Sequence, residues 1–172
     1  DSIEGWSEAC GILVNSYFKN GIYPEYEGIR VSFDYSKIRA KGEPLSSGAK
    51  APGPEPLKKA LNRIRKVIER CYENKRDRLR TIDAYDIVMH MSDAVLSGGI
   101  RRAATLALFS KDDQDMMTAK TGNWLAENPQ RARSNNSVAL LKSEITLEEF
   151  RDIIKHTKEF GEPGFIFVED LE

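Results

Sequence analysis

The chain has 172 residues, with hydrophobic residues at 40%, charged residues at 31% and a formal net charge of -1 at pH 7. This length suffices for one domain with a buried core. The near-neutral charge argues against general attachment to nucleic acid or to an anionic membrane. No apolar run approaches the roughly 20 residues that span a bilayer, and no signal-peptide pattern is present. We expect a cytoplasmic protein. Because its first residue is not Met, we also expect it to be a piece of a longer protein.

Cysteine and histidine are scarce, which limits the chemistry available within the chain. Cys10 and Cys71 are too few and too far apart for a disulfide framework, and each falls on the apolar side of a predicted helix. With only His90 and His156, no Cys/His zinc spacing can be assembled. We therefore predict no metal site, and no Ser/His/Asp set can be argued at any spacing.

The first 54 residues predict a helix, a strand and a long loop. Apolar residues recur at helical spacing from Ile3 to Tyr17, and residues 28–39 alternate between apolar and polar side chains, which is typical of a strand. Residues 40–54 contain three glycines and three prolines and must form a loop. The lysines and serines of this loop suit a phosphate or a ribose. A flexible surface loop is the alternative.

Two helices are predicted next, over residues 56–71 and from Thr81 to Gly98. The outer face of the first one is basic. A solvated helix face explains this pattern better than a nucleic-acid surface does, because acidic residues dilute it. The basic residues of this face are Lys58, Lys59, Arg63, Arg65, Lys66 and Arg70.

The segment between residues 97 and 104 is the most informative in the chain. Gly98 and Gly99 end a helix, Arg101 and Arg102 follow, and residues 104–109 read as a buried strand. Paired glycines allow alternative backbone conformations, and arginine offers forked donors suited to phosphate. The pattern indicates a mobile nucleotide-binding loop.

Helices and apolar strands alternate over the remaining third of the chain. Residues 138–141 and 165–168 predict strands, and Thr146 opens a helix through a capping box with Glu149. The acidic cluster at 112–115 is expected at a helix start because of the helix dipole. We predict an α/β fold with a parallel or mixed sheet.

Several motifs, in order, resemble the large subunits of ribonucleotide reductases. The match is best to the adenosylcobalamin-dependent class, and within it to the monomeric ribonucleoside-triphosphate reductase type. The resemblance covers essentially the whole chain, through motifs that are individually modest and jointly specific. These motifs are DSIEGW at 1–6, IRAKGEP at 38–44, SGGIRR at 97–102, DDQD at 112–115, SNNSV at 134–138 and GEPG at 161–164.

The resemblance implies a fold, a reaction and a set of partners. The fold would be a ten-stranded α/β barrel, with this chain as an internal segment of it. The reaction would convert ribonucleoside triphosphates to deoxyribonucleotides through a thiyl radical that adenosylcobalamin generates. A deoxynucleoside triphosphate effector would select which ribonucleotide substrate is reduced, and a thioredoxin-type reductant would supply electrons to the full enzyme.

The resemblance also assigns roles to particular positions. Asp1 would hold the effector ribose, and a first specificity loop at about 39–54 would surround the effector. A second specificity loop at about 97–103 would link effector to substrate. Asn135 and Asn136 would lie near the substrate cavity. The effector residues of the first loop are Arg39, Lys41, Gly42 and Gly48, and those of the second loop are Gly98, Gly99, Ile100, Arg101 and Arg102.

The chain lacks several parts of a complete enzyme, and the adenosylcobalamin of the full enzyme would be bound mostly outside this segment. The catalytic cysteines of the family would lie outside residues 1–172, and Cys10 and Cys71 match neither of them, so we assign no catalytic residue here. We expect a single segment of the barrel domain that carries the effector site. One alternative is a stand-alone nucleotide-binding regulatory module without catalysis. Another is a nucleic-acid-binding domain that uses the basic face at 58–70 with Arg131 and Arg133.

Overall fold

The computed structural model describes residues 2–18, 21–46, 48–96 and 104–169. Its helices are α1 (Ile3–Asn15), α2 (Glu55–Glu73), α3 (Thr81–Leu96), α4 (Gln114–Met117), α5 (Trp124–Glu127) and α6 (Leu147–Phe160). Its strands are β1 (Thr105–Ser110), β2 (Ser134–Leu141) and β3 (Gly164–Val168). Short 3-10 turns span Pro24–Tyr26 and Pro129–Arg133. Within the described residues, no helix is long and apolar enough to cross a membrane.

The chain divides into two compact units. The helical unit takes the described residues within 1–79 and 86–103, and the sheet unit takes those within 80–85 and 104–172. Helix α3 contributes its first turn to the sheet unit and the rest to the helical unit. That the whole chain is one segment of a larger barrel domain stays a prediction.

The helical unit has a core built mainly from one face of α2. The apolar side chains of this helix recur every three or four residues and are nearly inaccessible to solvent. Burying each such side chain stabilises the fold by about 1.5–3 kcal/mol. The core residues are Leu13, Leu57, Leu61, Ile64, Val67, Ile68 and Ile87.

The strand predicted for residues 28–39 is not found. The alternation is real: Val31, Phe33 and Tyr35 are half-buried against the core of the helical unit, while the side chains between them are exposed. Within the described residues, however, this segment joins no sheet. An alternation of apolar and polar side chains requires only an extended chain with one face covered. A strand also needs a neighbouring strand that supplies backbone hydrogen bonds.

The sheet unit contains three parallel strands in the order β1-β2-β3. Leu106 pairs with Asn135, and Val138 pairs with Phe165, so β2 lies in the centre. Helix α6 connects β2 to β3, as a parallel crossover requires. The predicted α/β class with parallel strands is therefore confirmed, while the described residues show a sheet of three strands where the resemblance implies a barrel of ten.

The sheet has two different faces. Phe150 of α6 packs against Phe165 and Phe167 of β3, with ring centroids 5.0 and 5.5 Å apart. The face that carries these rings also carries the buried side chains of β2, and we call it the helix-covered face. The opposite side, the open face, leaves Leu106 and Leu108 more than half exposed. The residues of the open face are Leu106, Leu108, Ser110, Asn135, Ser137, Ala139, Leu141, Gly164, Ile166 and Val168.

Candidate functional site

The predicted first specificity loop forms an ordered hairpin. The N–H of Gly42 donates to the carbonyl of Ala51 at 2.9 Å, and the N–H of Ala51 donates to Glu43 at 2.7 Å. An isolated antiparallel bridge joins Pro44 to Lys50. The alternative of a flexible surface loop is therefore disfavoured, because backbone bonds close the segment on itself.

Glycines permit the turns of this hairpin. Gly42, Gly48 and Gly53 have φ values of 95, 79 and 80 degrees, in the left-handed region that disfavours residues with a side chain. Around Gly42 and Gly48 a Cβ atom would meet nothing within 4 Å, so space is open beside both. At Gly53 a Cβ would lie 3.2 Å from the backbone nitrogen of Lys41, so the two ends of the hairpin touch there.

The hairpin presents cationic side chains to solvent. Arg39 and Lys41 are exposed at its start, and Ala51 and Gly53 are buried at its end. An exposed guanidinium and ammonium beside glycine backbone can bind phosphate oxygens by charge-assisted hydrogen bonds. Arg39, Lys41, Gly42 and Gly48 thus lie in one ordered segment, and their role at an effector stays a prediction.

Hydrogen bonds from α2 anchor the extended segment that leads into the hairpin. The guanidinium of Arg65 donates to the carbonyl of Val31 at 2.8 Å and to the hydroxyl of Tyr17 at 3.1 Å. The Tyr17 hydroxyl donates in turn to Glu69 at 3.1 Å. Burial is the main cause that raises the pKa of Tyr17, so the phenol stays protonated and keeps this donation. Arg65, on the basic outer face, therefore has a structural role.

Part of the predicted effector site lies outside the described residues. This applies to Asp1 and to the second specificity loop with Gly98, Gly99, Ile100, Arg101 and Arg102. Next to Asp1, the hydroxyl of Ser2 accepts the N–H of Gly5 at 3.0 Å and caps α1. The roles of Asp1 and of the second loop stay predictions.

The two asparagines predicted near the substrate cavity point to opposite sides of β2. Asn135 lies on the open face and is exposed, while Asn136 lies on the helix-covered face and is 2% exposed. Successive side chains of a strand point to opposite faces of the sheet, so Asn135 and Asn136 cannot both line a cavity on one face. A role of either residue at the substrate stays a prediction, and the geometry favours Asn135.

A buried polar network surrounds Asn136 in the sheet unit. The ammonium of Lys120 donates to Glu162 at 2.8 Å and to the carbonyl of Ser134. The other carboxylate oxygen of Glu162 accepts the backbone N–H of Asn136 at 2.9 Å. The amide oxygen of Asn136 accepts from the Tyr85 hydroxyl at 3.0 Å. The network links α3, β2 and the segment before β3.

Sequence reasoning missed this network. No motif in the sequence assigns a role to Lys120, and Glu162 stands out only as part of the GEPG motif at 161–164. A signal was present, because Asn136 shares its face of the strand with the apolar Val138 and Leu140. A polar residue at an inward position of a strand needs buried partners.

Acidic side chains near residue 113 act as a helix cap. The carboxylate of Asp113 accepts the N–H of Met116 at 3.0 Å at the start of α4. This bond supports the helix-terminus interpretation of the acidic cluster. In the part of the chain that the structure describes, no group of three or more His, Cys, Asp or Glu side chains is arranged to hold a metal ion.

Known proteins match the chain over its whole length. A probable adenosylcobalamin-dependent ribonucleoside-triphosphate reductase of Dictyostelium discoideum is 31% identical over 177 residues, covering 100% of this chain and 21% of the relative. The adenosylcobalamin-dependent ribonucleoside-triphosphate reductase of Lactobacillus gasseri is 34% identical, covering 98% of this chain and 22% of the relative. The enzyme of the same name from Lactobacillus leichmannii is 34% identical, covering 96% of this chain and 21% of the relative.

No protein-family model and no solved structure matches the chain. The chain spans about a fifth of the length of the curated relatives it matches. The similarity extends through both units, and the parallel α/β sheet agrees with the fold class expected from the motifs. By sequence, the chain belongs to the adenosylcobalamin-dependent ribonucleoside-triphosphate reductases, of which it matches one segment.

Proposed function

We propose that this chain is the effector-reading segment of an adenosylcobalamin-dependent ribonucleoside-triphosphate reductase. The observation that carries the proposal is the similarity to enzymes of that name over the full length of the chain. In the complete enzyme, ribonucleoside triphosphates would be reduced to deoxyribonucleotides by a thiyl radical, with electrons from a thioredoxin-type reductant. The three parallel strands would then be part of a ten-stranded barrel.

The hairpin at residues 39–53 would bind the phosphates of a deoxynucleoside triphosphate effector. Its closed backbone presents Arg39 and Lys41 to solvent, and open space lies beside Gly42 and Gly48. A preorganised loop binds at lower entropic cost than a flexible one, because less backbone freedom is lost on binding. Asp1 would contact the effector ribose from the start of α1.

The second specificity loop would transmit the identity of the effector to the substrate. Gly98 and Gly99 would permit two backbone arrangements, and Arg101 or Arg102 would contact the substrate in only one of them. Allosteric coupling requires such a differential contact, and the coupling free energy between two sites is typically about 1–3 kcal/mol. Ile100 lies between these two pairs and would move with them.

Adenosylcobalamin would be bound mostly by residues outside this segment. His90 is buried within α3, and the imidazole of His156 contacts the carbonyl oxygen of Glu162 at 3.0 Å. His156 thus has a contact within the sheet unit. The role proposed for this chain accordingly concerns nucleotide binding and not the chemistry of the cofactor.

Calorimetric titration of the chain with dATP, dGTP, dCTP and dTTP tests the effector role. We expect saturable binding of at least one of them, weakened about tenfold by Lys41→Gln because a charge-assisted contact with phosphate is lost. Asp1→Ala should weaken binding as well, through the ribose. Lys59→Gln, which removes the same charge from an exposed position on α2, is the matched control and should leave the affinity unchanged.

Two results would contradict this proposal. One is the absence of saturable binding to a chain whose circular dichroism and cooperative unfolding show that it is folded. The other is an equal loss of affinity for Lys41→Gln and Lys59→Gln, which would indicate attraction by overall charge. An Arg101→Ala/Arg102→Ala variant should bind effector with nearly unchanged affinity, because the proposed contacts of these arginines are to substrate.

A further inference from the structure

One arginine of the helical unit ties three parts of that unit together. Arg65 lies in the middle of α2, and its guanidinium donates to the carbonyl of Val31 at 2.8 Å and to the hydroxyl of Tyr17 at 3.1 Å. Val31 belongs to the extended segment that leads into the hairpin, and Tyr17 lies just beyond the end of α1. The planar fork of a guanidinium holds two acceptors in fixed directions, which a single ammonium cannot do.

The extended segment depends on Arg65 for its attachment. In the part of the chain that the structure describes, the bond to Val31 is the only hydrogen bond that joins residues 30–38 to another element. Apolar side chains of the segment pack against the core of the helical unit, but such contacts are non-directional. A hydrogen bond is directional. Arg65 therefore provides the fixed point that a neighbouring strand would provide in a sheet.

The two ends of the hairpin are held in different ways. Its end, at Gly53, is buried and is followed after one residue by the start of α2 at Glu55, so this end is fixed by the helix. Its start carries the exposed Arg39 and Lys41 and is reached through residues 30–38. The placement of these two cations thus depends on how the extended segment lies.

Arg65 differs from the other basic side chains of the same helix. Lys59 and Lys66 are exposed, whereas Arg65 is half-buried and both of its terminal nitrogens bond within the protein. The Tyr17 hydroxyl that accepts from Arg65 also donates to Glu69 at 3.1 Å, so the guanidinium belongs to a connected set of hydrogen bonds. Its charge is used inside the fold and is not presented to a ligand.

We propose that Arg65 is a positioning residue of the effector site. By holding Val31, it fixes the start of the hairpin so that Arg39 and Lys41 meet the phosphates of the effector together. This inference rests on the proposed function and adds to it a residue that does not itself touch the effector. Because the hairpin is preorganised in this way, loss of Arg65 lowers the affinity for the effector and not the rate of the reaction once the effector is bound.

The test uses the complete reductase of which we propose this chain to be a part. Equilibrium binding of dATP, dGTP, dCTP and dTTP is measured for Arg65→Met and Arg65→Lys. Arg65→Met should weaken binding about tenfold, because both hydrogen bonds of the guanidinium are lost. Arg65→Lys should weaken it about threefold, because an ammonium keeps the charge and cannot hold both acceptors. Where Arg65→Met fails to unfold cooperatively, Arg65→Lys carries the test.

Arg63→Met is the matched control. It makes the same chemical change two residues earlier in α2, where Arg63 pairs with Asp93 at 3.5 Å and the two side chains are 33% and 29% exposed. Affinity for the four deoxynucleotides should change less than about twofold, since a partly exposed ion pair contributes little. An equal loss for Arg63→Met and Arg65→Met would overturn the inference, because the effect would then come from charge or helix stability.

A double-mutant cycle separates positioning from direct contact. In a Lys41→Gln background, the loss caused by Arg65→Met should be smaller than in the parent enzyme, because one contact that Arg65 positions is already missing. Additive losses would show that Arg65 acts independently of the hairpin and would refute the proposal.

Turnover at saturating effector gives a second readout. Ribonucleotide reduction by Arg65→Met should return to the parent rate when enough deoxynucleotide is added, since only the affinity is lowered. A rate that stays low at saturation would contradict the positioning role. A parent enzyme that binds none of the four deoxynucleotides would overturn the proposed function together with this inference. A parent that binds them, with unaffected Arg65 variants, would overturn the inference alone.

Discussion

Adjacent residues in this chain have opposite environments, and the difference decides what each can do. Asn135 is exposed on the open face, and Asn136 is 2% exposed with its amide oxygen bonded to Tyr85 and Ser134. In the described structure, the amide nitrogen of Asn136 has no hydrogen-bond partner. A buried donor of this kind costs about 1–3 kcal/mol, so the rest of the network must offset that cost.

The Lys120–Glu162 ion pair gives a stability prediction. The side chain of Lys120 is 4% exposed and that of Glu162 is 22% exposed. Lys120→Met leaves a largely buried carboxylate without its cation, which should lower the free energy of unfolding by about 3 kcal/mol. The double variant Lys120→Met/Glu162→Gln should recover at least about 1 kcal/mol of this loss.

Chemical denaturation of the two variants and the parent chain measures these differences. Glutamine at position 162 retains an oxygen that can accept the N–H of Asn136, so the recovery tests the charge and not the shape. A double variant that is less stable than Lys120→Met would show that the carboxylate itself stabilises the strand.

Two glycines of the hairpin give a second prediction at the residue scale. Gly48→Ala meets open space and should cost only the strain of a left-handed backbone, about 1–2 kcal/mol. Gly53→Ala has the same strain and also forces a methyl group to within 3.2 Å of the Lys41 backbone. We expect Gly53→Ala to be the more destabilising of the two in thermal unfolding, and equal effects would show that the hairpin ends are not in contact.

Helix α6 shows how local sequence sets the limits of an element. Thr146 and Glu149 form the predicted capping box, with the Glu149 N–H donating to the Thr146 hydroxyl at 3.2 Å and the Thr146 N–H donating to Glu149 at 2.9 Å. Gly161 ends the helix with a φ of 79 degrees. All of these bonds lie within four residues along the chain, so the pattern could be predicted from the sequence.

A pH dependence follows from this cap. The hydrogen bond from the Lys111 ammonium and those from Thr146 hold the pKa of Glu149 at about 2, below its ordinary value of 4.5. Because the folded-state pKa is depressed, the stabilisation is fully present above about pH 4.5 and is lost as the pH falls through about 2. Glu149→Gln should therefore be less stable than the parent chain at pH 6, and the difference should shrink as the pH falls from 4.5 toward 2.

Urea denaturation at several pH values measures this difference. Glu148→Gln, one residue earlier in the same helical turn, is the matched control, since Glu148 is exposed and is not part of the capping box. A difference between Glu149→Gln and the parent chain that does not vary with pH would contradict the assigned ion pair.

In the sheet unit, the open face of the sheet exposes large apolar side chains. Leu106 and Leu108 are 56% and 55% exposed, and β1 and β3 are edges of the described sheet. Exposed apolar strands with unpaired backbone groups associate readily. We expect the isolated chain to self-associate as its concentration rises, and Leu108→Lys to reduce this association.

Sedimentation velocity over a range of concentrations measures the association. A single monomeric species at all concentrations, together with cooperative unfolding, would contradict the expectation. Lys58→Gln, on the exposed side of α2, is a control that should not alter the association.

The sequence by itself determined the features that depend on neighbouring residues. Helical periodicity, the capping box at Thr146, the glycine-rich loop and the α/β class could all be predicted, because the patterns that indicate them are local in the sequence. The motifs also sufficed to indicate the family.

The tertiary structure alone decided which residues have partners that are distant in the chain. Residues 28–39 have the alternation of a strand, but in the part of the chain that the structure describes no strand pairs with them. Lys120 meets Glu162 across 42 positions. Only folding brings such groups together, so a local pattern cannot reveal whether a backbone group or a charge will be paired.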